Sequence, residues 1–155
     1  MAAGVWSGLT HTAAATRPDH DDPRLRGRTY AVPFEHVWQA ARALCAGGLK
    51  RWTLLEEDDQ EGVLRAESTL LLPRRVSDVT VFIRLDRDAQ TRVDARSVSR
   101  RDGGGDLGAN ARRLRRFFKA LDAAAEAARA ELAERRAARR GARTAGEHAG
   151  ASRGG

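Results

Sequence analysis

The sequence predicts an α+β domain: a small antiparallel sheet of about five strands, helices packed on one face, and a long C-terminal helix. Three observations carry this. Four segments between residues 52 and 96 alternate apolar and polar residues, as half-buried strands do. Two other segments place apolar residues three and four apart, as helices with one buried stripe do. The patterns follow one another as strand, helix, four strands, helix, and helices on one face of an antiparallel sheet is the simplest arrangement of that order.

Residues 1–27 read as a disordered arm. Arg17-Pro18-Asp19-His20-Asp21-Asp22-Pro23 joins two prolines to clustered polar groups, which bury too little surface to order themselves. The single α+β domain spans residues 28–122 and opens with a β-prone segment from Arg28 to Val32. Pro33 then stands at the first turn of a helix, where its missing N–H costs nothing. Phe34, Val37, Trp38, Ala41, Leu44 and Cys45 form the apolar stripe of that helix, and Gly47-Gly48 ends it.

Trp52–Glu56 is the first of the four strands, and Asp58-Asp59-Gln60-Glu61-Gly62 turns the chain. Leu64, Ala66, Ser68 and Leu70 then share one side of a strand until Pro73 interrupts it. Val79, Val81, Ile83 and Leu85 alternate with Thr80, Phe82, Arg84 and Asp86; after a turn, Thr91, Val93 and Ala95 alternate with Arg92, Asp94 and Arg96. Pairing Asp86 with Arg92 brings Arg84 opposite Asp94 and Leu85 opposite Val93, so that opposite charges meet on one face and apolar groups on the other.

Gly103-Gly104-Gly105 is a flexible connector, and Asp106 is a suitable N-cap for the last helix. Leu107, Leu114, Phe117, Phe118 and Leu121 make its buried stripe. Residues 123–140 form an Ala/Arg-rich helical extension with Leu132 as its only large apolar side chain, and residues 141–155 read as a disordered tail.

Two segments, Thr91-Arg92-Val93-Asp94-Ala95-Arg96-Ser97-Val98-Ser99-Arg100 and Gly105-Asp106-Leu107-Gly108-Ala109-Asn110-Ala111-Arg112-Arg113-Leu114, resemble the bacterial domain-of-unknown-function family fourteen-ninety-nine. Pro33, Trp52, Gly62 with Ala66, and Asp78 before Val79 fit the same family, so the resemblance covers roughly residues 28–122. Two departures stand out. Ser77 replaces the first member of a paired Asp-Asp, and the Gly-Gly-Gly run lacks the serine of a Gly-x-Ser-Asp connector. Many members of the family look exported or membrane-attached, and no such signal is expected for this chain. The resemblance implies no activity.

The chain of 155 residues carries a net charge of +7, and that surplus is local. Between Arg112 and Arg143 stand eleven basic and four acidic residues, while the remainder holds seventeen of each. Cys45 is the only cysteine, which excludes an intramolecular disulfide framework and leaves a small apolar gap-filler. The first sixteen residues have no basic n-region and no sustained apolar run, and no stretch approaches the ~20 apolar residues of a membrane span. A cytoplasmic location is expected.

Asp78, Asp94, Arg96, Ser97, Ser99, Arg100, Asp106, Asn110 and Arg113 form the candidate binding cluster. On the functional reading, Arg96 and Arg100 grip an anion beside the N–H groups that open the last helix. On the structural reading, Asp106 caps, Asn110 ties down a loop, and Asp94 and Arg96 make cross-strand ion pairs. Catalysis is disfavoured, because no histidine between His36 and His148 stands ready to activate Ser97 or Ser99. No metal or cofactor is expected either: Asp19-His20-Asp21-Asp22 reads as a solvated acidic turn, and the triple glycine lacks a following Gly-Lys-Ser/Thr. The residues therefore favour a non-catalytic accessory module for a protein partner or a small anionic ligand. The alternatives are an enzyme using Asp78, Asp106 and the arginines on an anionic substrate, and nucleic-acid binding by residues 112–143, where no aromatic side chains interleave with the arginines.

Overall fold

The computed structural model describes residues 13–71, 74–100 and 107–151. Its strands are β1 (Ala13–Ala15), β2 (Arg28–Tyr30), β3 (Trp52–Asp58), β4 (Val63–Leu71), β5 (Arg74–Leu85) and β6 (Thr91–Ser99); its helices are α1 (Phe34–Ala43) and α2 (Leu107–Ala151). They build one six-stranded sheet in the order β1-β6-β5-β4-β3, with β2 also paired to β6. Every pairing is antiparallel. The Gly103-Gly104-Gly105 connector and the Asp106 cap lie outside the described residues.

Order begins earlier than the composition of residues 1–27 predicts. Ala13–Ala15 lies against Val98–Arg96, and the Thr16 N–H donates to the Ala95 carbonyl at 2.8 Å. After a short turn at Pro23–Leu25, Leu25 is buried in the core. A segment without enough apolar surface to fold alone is held here by the open edge of β6, whose backbone groups need partners.

α1 starts after Pro33, whose carbonyl accepts from the N–H groups of His36 and Val37. Its stripe buries Val37, Trp38 and Ala41, and Cys45 is buried just beyond its end. The chain leaves through a wide turn at Leu44–Gly48 in which Gly47 takes φ 109° and the Leu49 N–H reaches the Leu44 carbonyl at 3.0 Å. That left-handed conformation is open to glycine without steric cost.

One face of the sheet is covered by both helices. Leu64 and Ala66 of β4, Val79, Val81 and Ile83 of β5, and Val93 and Ala95 of β6 share a single core with α1 and α2. The faces follow the alternation in the sequence, but the hairpin register differs by two residues from the one charge pairing predicts. Arg84 lies opposite Arg92, Ile83 opposite Val93, and Leu85 opposite Thr91. Consequently Leu85 is 57% exposed instead of packed on Val93. The turn decides this. Asp86 pairs with Gln90 through the backbone at 2.8 Å, and its carboxylate accepts from the N–H groups of Asp88 and Gln90, both at 2.9 Å. Its side chain is spent on the loop backbone and is not offered to Arg92.

α2 is 45 residues long, about 67 Å at 1.5 Å per residue. Leu114, Phe117, Phe118 and Leu121 are each at most 1% exposed, and burial of four such side chains contributes roughly 6–12 kcal/mol. Ala125 is buried and Ala128 and Leu132 pack partly on the core; residues 133–145 are exposed. The helix continues past Gly141, where the composition predicts a tail. Alanine-rich sequence, the Glu131–Arg135 pair at 2.6 Å and the Thr144 hydroxyl bonded to the Gly141 carbonyl support it locally. Among the described residues no helix is long and apolar enough to cross a membrane.

Candidate functional site

Three serines cross the inner face of the sheet in register. Ser68 of β4 lies opposite Ser77 of β5, and Ser77 lies opposite Ser99 of β6. All three are buried, as is Ser97. A hydroxyl on a core-facing strand position requires a hydrogen-bond partner, and α2 supplies two side chains above this row. The Ser97 hydroxyl donates to Asn110 Oδ1 at 2.7 Å, and Asn110 Nδ2 donates to Ser99 Oγ at 3.0 Å. Ser99 and Ser77 share a hydrogen bond of 3.3 Å. Arg113 Nη1 donates to Asn110 Oδ1 at 2.6 Å and to Ser97 Oγ at 3.1 Å.

Asn110 and Arg113 sit three residues apart, so they share one side of α2. With Asn110 1% and Arg113 9% exposed, the network fixes the guanidinium in place. Arg113 also borders a cavity of about 130 Å³ lined by Lys50, Arg51, Trp52, Ser68, Thr69, Leu70, Ala109, Arg112, Arg113 and Arg116. Five of these are cations, and no carboxylate stands among the described lining residues. Arg51 takes φ 66°, an uncommon conformation for a residue with a Cβ, worth roughly 1–2 kcal/mol. Its carbonyl accepts from the Thr69 N–H at 3.0 Å, which joins the two strand ends bordering the cavity. Gly108 lets Arg112 fold back along α2: a Cβ at Gly108 would lie 2.5 Å from Arg112 Nη1.

The cluster expected from the sequence is divided by the sheet. Ser97, Ser99, Asn110 and Arg113 come together on the helix side. Asp78 and Arg100 meet on the opposite face, where Arg100 Nη2 donates to Asp78 Oδ1 at 2.7 Å and to Glu67 Oε2 at 3.2 Å. That arginine bridges two carboxylates that lie directly opposite one another in the strand pairing. Asp94 forms a third group: Arg92 donates to it at 2.9 and 3.0 Å, Arg84 at 3.5 Å, and the Thr16 hydroxyl at 3.1 Å. Gly27 makes room for it, since a Cβ there would stand 2.1 Å from Asp94 Oδ1. Arg96 is exposed on the outer face, and Asp106 lies outside the described residues.

Strand parity carries the signal for this division. Asp94, Arg96 and Arg100 alternate out of phase with Ser97 and Ser99 along β6, so the two sets leave the sheet on opposite faces. Ser68 and Ser77 occupy the same parity as Leu64, Ala66, Val79 and Val81, and a serine on an apolar face marks a buried polar site. Lys50, Arg51, Arg112 and Arg116 join the cavity only through the tertiary fold.

His36 Nδ1 is buried without a hydrogen-bond partner among the described residues. Burial pushes the Cys45 thiol up to about 12, which suits a packing role. Among the described residues no group of His, Cys, Asp and Glu is placed to hold a metal ion.

No curated protein matches the chain. A family model described as "Protein of unknown function (DUF1499)" matches residues 9–121, from ahead of β1 to the last large core residue of α2.

Proposed function

The chain belongs to the DUF1499 family of proteins of unknown function, and we propose that it is a non-catalytic binding module for a small anionic ligand. The ligand sits where the ends of β3 and β4 meet α2. The observation that carries this reading is the cavity where Lys50, Arg51, Arg112 and Arg116 gather beside Arg113, with no carboxylate among its described lining residues. Like charges gathered at one cavity repel, and an anion relieves that repulsion while accepting several charge-assisted hydrogen bonds. Arg113 is positioned beforehand by Asn110 and Ser97, so little ordering is left to binding. A volume near 130 Å³ leaves room for a group of a few heavy atoms, such as one phosphate or carboxylate.

The test is titration of the full chain with inorganic phosphate against chloride at matched ionic strength, followed by thermal unfolding and by amide NMR shifts. Phosphate is expected to raise the unfolding midpoint with concentration and to shift resonances near Arg51, Thr69 and Arg112. The paired substitutions Lys50→Ala and Arg112→Ala should abolish both effects. A phosphate response that survives in the paired variant, or no response in the natural chain, overturns the reading.

A further inference from the structure

Arg116 lines a second cavity as well as the first. A groove of about 550 Å³ runs between α2 and the N-terminal segment, bordered by Arg24, Arg28, Arg115, Arg116, Lys119 and Asp122. The one carboxylate among its described lining residues, Asp122, is already engaged. Asp122 accepts from the Tyr30 hydroxyl at 2.7 Å and faces Arg28 at 3.6 Å. Asp22 accepts from Arg24 at 3.0 Å and from Arg115 at 2.7 Å, and those hydrogen bonds, Arg24 foremost, hold its carboxyl well below the usual range. Arg116 and Lys119 form no ion pair among the described residues and are exposed.

Arg112, Arg116 and Lys119 follow one another at spacings of four and three, which puts them on one stripe of α2. The stripe rises about 10 Å from Arg112 to Lys119 and joins the junction cavity to the groove through Arg116. We propose that the ligand carries several phosphate groups in one chain, one seated in the junction cavity and another, further along the chain, on Arg116 and Lys119. The ligand class is therefore an inorganic polyphosphate, an inference that rests on the junction being an anion site. A single-stranded nucleic acid would present the same phosphates, but it gains affinity by stacking bases on aromatic faces. Trp52 is the one aromatic among the described lining residues of the two cavities, and its face is already covered. Trp52 is 5% exposed and stacked on Phe117 with centroids 5.8 Å apart, and Phe118, under the Arg28 guanidinium, is 1% exposed.

Calorimetric titration of the full chain with inorganic phosphate, tripolyphosphate and single-stranded oligothymidylate, at one ionic strength, tests this. Tripolyphosphate is expected to bind about tenfold or more tightly than phosphate, because its second contact is intramolecular. Lys119→Ala should remove that gain and leave phosphate affinity within about twofold. Arg139→Ala makes the same charge change on the exposed distal helix and should leave both affinities unchanged; urea midpoints check that each variant folds. Phosphate binding without a tripolyphosphate gain overturns the two-site inference alone, whereas binding of neither overturns the junction reading with it. A tripolyphosphate gain that survives Lys119→Ala, or that Arg139→Ala reduces equally, refutes the groove. Oligothymidylate binding more tightly than tripolyphosphate refutes the choice of ligand.

Discussion

Asn110→Ala removes the centre of the buried polar network. The side chain accepts from Ser97 at 2.7 Å and from Arg113 at 2.6 Å, and donates to Ser99 at 3.0 Å. The two neutral hydrogen bonds contribute roughly 0.5–1.5 kcal/mol each, and the bond to the guanidinium roughly 1.5–3 kcal/mol. Arg113 retains its bond to Ser97 at 3.1 Å, and Ser99 retains its bond to Ser77 at 3.3 Å, which sets the expected loss near the low end, about 3–4 kcal/mol. Against a domain stability of about 5–15 kcal/mol, such a loss is large. Equilibrium urea unfolding read by tryptophan fluorescence measures it, since Trp52 is buried beside Phe117 and exposed on unfolding. Ser97→Ala and the double variant complete a cycle, with an expected coupling of at least ~0.5 kcal/mol. A loss below about 1 kcal/mol, or costs that simply add, would show that water or relaxation replaces the network. Because Asn110 is 1% exposed, its removal reads out stability first; Lys50 and Arg112 are the residues that report binding.

Gly62→Ala should cost more than Gly47→Ala, although both glycines have positive φ. Gly47 faces open space, so alanine meets backbone strain of roughly 1–3 kcal/mol. At Gly62 the Cβ would stand 1.9 Å from the Ile83 carbonyl oxygen, and relief requires parting β4 from β5. Urea midpoints should rank Gly62→Ala well below Gly47→Ala, and equal midpoints would refute the close approach. Cys45 sets a pH prediction. Its thiol is raised by burial from 9.0 to about 12, so the folded state keeps a proton that the unfolded chain releases. Stability from this group is intact below pH 9.0 and falls as pH rises toward about 12, by roughly 1.4 kcal/mol per pH unit. Tyr30, raised by burial and by its bond to Asp122, has the same sign at higher pH. Cys45→Ala should flatten the decline that begins near pH 9, and an unchanged alkaline profile would contradict a buried thiol.

The elements whose period matches their burial were legible in the sequence. Val79, Val81, Ile83, Val93 and Ala95 alternate as a one-sided sheet must, and Leu114, Phe117, Phe118 and Leu121 repeat as a helix stripe must. β1 was not legible, because three alanines carry no periodic signal and order only against the edge of β6. The β5–β6 register is not legible, because a two-residue slip preserves every face and alternation leaves it open. Only the backbone N–H groups around Asp86 fix it.

The candidate site divides along the same line. The sequence by itself determined which residue types the site has to offer, and strand parity separates Ser97 and Ser99 from Asp94, Arg96 and Arg100. Tertiary structure alone decided which cations face Arg113, because Lys50, Arg51 and Ser68 reach it from strand ends far from α2 in the chain. Local propensity acts between neighbours a few residues apart, whereas a cavity is defined by the packing of separate elements.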